Sequence, residues 1–88
     1  MTNRIKRSDI EERIRVLNNW TIEEPSPTPG TPKSFHLDED ALGIGLYRVH
    51  ETGSGIVRVL YPDTKRSTLE KVEAMLTGMR IANENHHK

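Results

Sequence analysis

The stretch LGIGLYRVHETGSGIVRVLY, residues 42–61, decides the fold of this chain. Apolar and polar residues alternate on both sides of Thr52-Gly53-Ser54, an arrangement typical of two antiparallel strands joined by a tight hairpin. The alternation predicts strands over residues 42–51 and 55–61.

The hairpin loop also predicts which residues of the two strands face each other. We expect Val49 opposite Val57 and Tyr47 opposite Val59, because a shift by one residue would divide the apolar side chains between the two faces. This register directs five side chains at the core: Tyr47, Val49, Val57, Val59 and Tyr61. The outer face, which is the face of the sheet away from the helices, then carries Leu46, Arg48, His50, Ile56, Arg58 and Leu60.

Two helices flank the strands in the sequence. Ser8 with Glu11, and Ser67 with Glu70, have the spacing of a capping box, which predicts a helix start at each site. Apolar residues at helical spacing follow both sites, and the first helix is expected to end near residues 18–19. Gly78 is expected near the end of the second helix, and residues 83–88 are expected to form a frayed tail.

Before the hairpin, Phe35 and Leu37 alternate with His36 and predict a short first strand. The Pro-rich segment, residues 21–34, contains four prolines that exclude a helix interior or a central strand. We therefore predict one α+β domain over residues 1–88, with a three-stranded antiparallel sheet and both helices on one face (α-β-β-β-α).

Composition excludes several classes of protein. The 88 residues include 13 basic and 13 acidic side chains, so a highly cationic nucleic-acid coat protein is not expected. No apolar run is long enough for a membrane span, and no apolar stretch follows the basic N-terminus as it would in a secretory signal. The chain has no cysteine, which fits a cytoplasmic location.

The residues that usually perform catalysis or bind metal ions are not arranged for either role. His36 and His50 alternate with apolar neighbours, and the His86-His87 pair lacks the spacing of metal ligands. There is no cysteine nucleophile and no Gly-x-Ser-x-Gly motif. We predict no catalytic residues, no metal site, no cofactor and no enzymatic activity.

Several short segments resemble small proteins encoded by bacteriophages and prophages. The resemblance lies in Phe35-His36-Leu37-Asp38, in the glycine-containing Ala41–Leu46, in the hairpin glycines, in residues 64–70 (TKRSTLE) and in the Leu17-Asn18 step. It covers most of the chain, and those proteins share the helix–three-strand–helix order. The resemblance implies this fold and a phage-type accessory protein in the host cytoplasm, and it implies no particular activity.

Protein–protein binding is the function that we predict for the outer face. Apolar side chains interleaved with arginines are suited to an interface, and a domain this small is only marginally stable alone. We expect a homodimer, with a host protein as another partner, and the predicted interface is Leu46, Arg48, Ile56, Arg58 and Leu60. Alternatively, the Pro-rich segment or the first helix folds over this face and covers it.

Nucleic-acid binding is the alternative function. Arg48 and Arg58 are expected side by side on the outer face, and Lys65 and Arg66 precede a helix N-terminus, where phosphates bind readily. Few aromatic residues are available to stack on bases, since they make up 5% of the chain.

Overall fold

A computed structural model describes residues 4–86, and residues 1–3 and 87–88 lie outside the described part. Its elements are α1 (Arg7–Ile22), β1 (Phe35–Asp40), β2 (Gly43–Val49), β3 (Ile56–Asp63) and α2 (Lys65–His86). The strands form one antiparallel sheet in the order β1-β2-β3. The predicted α+β class and element order are confirmed.

Both helices begin slightly before their predicted starts. The Asp9 carboxylate accepts a hydrogen bond of 2.8 Å from the Lys6 backbone N–H, so Asp9 rather than Glu11 completes the first turn of α1. In α2 the Thr64 hydroxyl accepts a hydrogen bond of 3.2 Å from the Ser67 N–H. Each predicted capping box was therefore placed too late in the chain.

The helices also end later than the sequence suggests. Helix α1 continues to Ile22, where Glu23 takes a left-handed conformation (φ 57°) and donates its N–H to the Asn19 carbonyl. Helix α2 passes Gly78 and includes residues 83–86 of the segment predicted to fray. The Pro-rich segment therefore loses its first two residues to α1.

The predicted hairpin register is wrong by one residue. Val49 lies opposite Ile56, and Tyr47 lies opposite Arg58. The loop causes the difference, because Gly53 and Gly55 take positive φ angles and the His50 N–H bonds to the Gly55 carbonyl at the last position of the turn.

The observed register, together with an extra residue in β3, places several side chains on the opposite face of the sheet from the one predicted. Leu46 is fully buried on the helix side, whereas Tyr61 is 80% exposed. Strand β3 contains an extra residue between Arg58 and Leu60, and this bulge lets both Val59 and Leu60 pack against the core. The core cluster comprises Ile10, Ile14, Leu17, Phe35, Ile44, Leu46, Val72 and Leu76.

A second irregularity in β3 lies beyond the bulge, where the strand passes very close to β2. A side chain at Gly45 would place its Cβ 2.7 Å from the Leu60 carbonyl oxygen, and Gly43 has a φ of 140°. Glycine at these positions is what permits the close approach.

The Pro-rich segment lies against the hairpin end of the sheet. The Lys33 N–H donates to the Val49 carbonyl at 3.0 Å, and the Val49 N–H donates to the Ser34 carbonyl at 2.9 Å. Pro25, Pro27 and Pro29 form the wall of a cleft whose other side includes His36 and Tyr47, two residues of the outer face. The alternative in which this segment covers the outer face is thus correct for the β1–β2 part.

Candidate binding surface at the open edge of the sheet

One side chain from α1 closes the β1 edge of the sheet at Phe35. Asn18 is 2% exposed, and its Oδ1 accepts a hydrogen bond of 2.7 Å from the Phe35 N–H. Its Nδ2 donates to the Phe35 carbonyl at 3.0 Å. The amide thus bonds Phe35 as a neighbouring strand would, and a further strand has no free backbone groups at this position.

The β3 edge, like the rest of the β1 edge, pairs with no other strand in the described part of the chain. Its first residues are apolar and exposed, at 61% for Ile56 and 53% for Val57. An exposed edge of β-branched residues is a template for the addition of another strand.

The hydrogen bonds of β2 show which β3 groups point away from the sheet. Both backbone groups of Val49 bond on the β1 side, to Lys33 and Ser34, so Ile56 opposite Val49 directs its own N–H and C=O outward. The backbone N–H and C=O groups of successive residues point to alternate sides of a strand. Arg58 follows Ile56 by two residues, so its backbone groups also point outward. Residues 56–58, which we call the open segment, therefore present two residues with free backbone groups.

The rest of β3 is less suited to strand addition. The bulge follows Arg58 directly, and Pro62 has no N–H to donate. Bulges and prolines are common features that protect an edge strand from pairing. Strand addition is therefore confined to the open segment.

The structure disperses the five residues predicted to form an interface. Leu46 is fully buried and Leu60 packs against the core, so neither is available on the outer face. Arg48 lies on the helix side, with its guanidinium 4.6 Å from the centre of the Phe35 ring. Only Ile56 and Arg58 remain near the predicted place. The one-residue register shift turns Leu46 and Arg48 to the other face, and the bulge at Val59 does the same to Leu60.

The basic residues proposed for nucleic-acid binding are likewise not brought together. Arg48 and Arg58 point to opposite faces, because Arg48 lies opposite Val57 and Arg58 is the next residue along β3. Lys65 and Arg66 are exposed in the first turn of α2. The expected Arg48–Arg58 pair on one face is therefore wrong.

Arg58 is held on the outer face by a nearby carboxylate. Its Nη2 donates to Asp38 Oδ2 at 2.9 Å, and its Nη1 lies over Gly45 without a hydrogen bond in the described residues. With one side of its charge balanced by Asp38, Arg58 is a weaker phosphate ligand than a free arginine.

His36 and Tyr47 lie opposite each other on the outer face, with ring centres 5.6 Å apart. His36 Nε2 is 2.7 Å from the Ser34 hydroxyl, which in turn donates to the Thr31 carbonyl. Burial lowers the pKa of His36, and a hydrogen bond with the Thr28 backbone opposes this shift. This pair fastens the Pro-rich segment to the sheet.

Two features of this surface were missed in the sequence. Val57 lies on the helix side of the sheet, as expected, but it is half exposed at the open edge instead of buried in the core. Asn18 had a detectable signal, because it continues the apolar stripe of Ile10, Ile14 and Leu17 at helical spacing. A polar residue in such a stripe requires a buried hydrogen-bond partner.

Neither helix of the described chain combines the length and apolar character required to cross a membrane. Within residues 4–86, no three histidine or carboxylate side chains gather in a way that could hold a metal ion. No protein-family model, curated protein or solved structure matches the chain. The resemblance to phage proteins therefore stays a prediction, and the function is argued from geometry.

Proposed function

We propose that this protein acts by stoichiometric binding of another polypeptide, which adds as a strand to the open segment, and that a second copy of the chain is such a partner. The observation that supports this proposal is the open segment, whose outward backbone groups are free and whose central residue is the uncharged Val57. At the opposite edge of the sheet, Asn18 occupies the backbone groups of Phe35.

The open segment has the pattern that a symmetric antiparallel pair requires. A two-fold axis through Val57 sets Ile56 of each copy opposite Arg58 of the other, and both of these residues point their backbone groups outward. Four backbone hydrogen bonds then join the copies. No like charges face each other, and Arg58 keeps its Asp38 partner.

The same proposal includes a binding role without catalysis, as an accessory protein of phage type in the host cytoplasm. A host protein that presents an extended strand is the other partner for the same segment. Nucleic-acid binding through Arg48, Arg58, Lys65 and Arg66 receives less support, since the two strand arginines point to opposite faces.

The test is the mass of the protein in solution, measured by light scattering during size exclusion over a range of concentrations. We expect a dimer for the wild type and a monomer for Ile56→Pro. Proline removes an N–H that bonds nothing within the sheet, so the variant should keep its fold. Losing two of the four hydrogen bonds should weaken self-association at least about tenfold.

Tyr61→Ala is the matched control. It removes a more exposed side chain from the same strand, but in the half that the bulge and Pro62 protect, so the dimer should persist. A monomeric wild type at every concentration would reject self-association. An Ile56→Pro variant that is folded and still dimeric would show that the interface lies elsewhere.

A further inference from the structure

An open pocket of about 560 Å³ lies on the helix side of the sheet, at the hairpin end that the helices leave uncovered. Its apolar lining includes Phe35, Val57, Val59 and Met75. The volume lies within the range of about 300–1,000 Å³ that is usual for small-molecule sites. A pocket with this size and lining is suited to an apolar group. The charged residues at its rim decide which polar or charged group the ligand carries.

Arg48 supplies a positive charge directly beside this apolar lining. Its guanidinium stacks on the Phe35 ring at 4.6 Å, and its Nε donates to the Lys33 carbonyl at 3.0 Å. These two contacts hold the group in place, whereas its terminal Nη atoms make no hydrogen bond to other described residues. Two fixed N–H donors in a plane match the geometry of a carboxylate.

Lys33 supplies a second positive charge to the lining of the pocket. It takes a left-handed conformation with φ 66°, which is unusual for a residue other than glycine. The hydrogen bond from its N–H to the Val49 carbonyl holds this conformation.

We propose that the pocket binds an apolar group that carries a carboxylate, with the apolar part against Met75 and Val59 and the carboxylate at Arg48 and Lys33. A free aliphatic acid and the C-terminal carboxylate of a peptide share this chemistry. Glu51 also lies at the rim and opposes an anion, so the two basic side chains exceed the acidic one by a single charge. Every lining residue belongs to one copy of the chain, so the pocket is complete without strand addition, although Val57 belongs to both the pocket and the open segment.

The test uses octanoate as the probe and 1-octanol as the uncharged comparison. Binding of each is measured by amide chemical shifts and by calorimetry. Octanoate should shift the amides of Phe35, Val57 and Met75 and bind at least about tenfold more tightly than 1-octanol, which lacks the charge-assisted hydrogen bonds. An acetylated tripeptide ending in leucine, compared with its C-terminal amide, distinguishes a peptide end from a free acid.

Two variants test the assigned charges. Arg48→Gln should weaken octanoate about tenfold, and Glu51→Gln should strengthen it severalfold, because Glu51 is exposed and its removal leaves the pocket intact. Arg66→Gln removes an equal charge outside the pocket and should leave the affinity unchanged.

Ile56→Pro should also bind octanoate as the wild type does, which separates this site from the proposed dimer. No binding of octanoate or the tripeptide at millimolar concentration would overturn the proposal. Equal affinity for octanoate and 1-octanol would overturn the assignment of the carboxylate. So would an octanoate affinity that neither Arg48→Gln nor Glu51→Gln changes.

Discussion

The two edges of the sheet end in different ways. At the β1 edge, one buried amide from α1 satisfies both backbone groups of Phe35, so helix packing and edge closure depend on the same side chain. At the β3 edge, protection comes from a bulge and a proline and begins only after Arg58. A side chain from a neighbouring element closes the position that it reaches, whereas a strand that protects itself by irregularity leaves its regular part open.

The largest loss of stability is expected when the Asn18 side chain, which closes the β1 edge at Phe35, is removed. Asn18→Ala removes two buried hydrogen bonds and leaves the Phe35 N–H and C=O without partners, which should lower the free energy of unfolding by about 2–4 kcal/mol. Asn19→Ala is the control, since Asn19 is the exposed neighbour on the same helix. Urea denaturation measures both. Similar losses for the two variants would mean that Asn18 does not close the edge.

A smaller loss of stability is expected in the irregular half of β3. Gly45→Ala brings a Cβ against the Leu60 carbonyl oxygen, so the irregular half of β3 must move, at a cost of about 1–3 kcal/mol. Gly78→Ala is the control of opposite sign. Nothing lies within 4 Å of a Cβ at Gly78 in α2, and alanine there should stabilise the protein by about 0.5–1 kcal/mol. Thermal unfolding should separate the pair, and a Gly45→Ala variant as stable as the wild type would contradict the close approach.

The fold could be predicted from local patterns, because each pattern depends on neighbours in the sequence. The stripe of Ile10, Ile14 and Leu17 and the alternation around the hairpin indicate their elements directly. The helix starts were predicted less accurately, because the capping residues Asp9 and Thr64 lie only two or three positions from Glu11 and Ser67, which have similar side chains.

The edges could not be predicted in the same way. Register depends on the conformations of Gly53 and Gly55, and a one-residue difference places Leu46 inside instead of outside. The bulge at Val59 could not be located from the sequence, because Val59-Leu60-Tyr61 is an unbroken apolar run that does not show which residue is the extra one. Asn18 was the exception, since a polar residue in an apolar stripe already required a partner.

The third prediction concerns pH and the covered part of the sheet. Burial lowers the pKa of His36 below its ordinary value of 6.5, so the folded protein favours the neutral ring. This contribution to stability is complete above pH 6.5 and is lost as the pH falls through the lower pKa of the folded state. We expect the free energy of unfolding to fall between pH 7 and about pH 5, by less than in either substitution above.

His36→Gln should reduce that pH dependence, whereas His50→Gln, at an exposed position, should retain it. Asp63 does not interfere in this range. Hydrogen bonds from the Thr64 N–H and the Ser67 hydroxyl lower its pKa below 3.8, so its contribution is lost only at more acidic pH. Urea denaturation in steps from pH 7 to pH 5 measures the slope. An equal slope for His36→Gln and the wild type would mean that the contact between His36 and the Pro-rich segment does not respond to protonation.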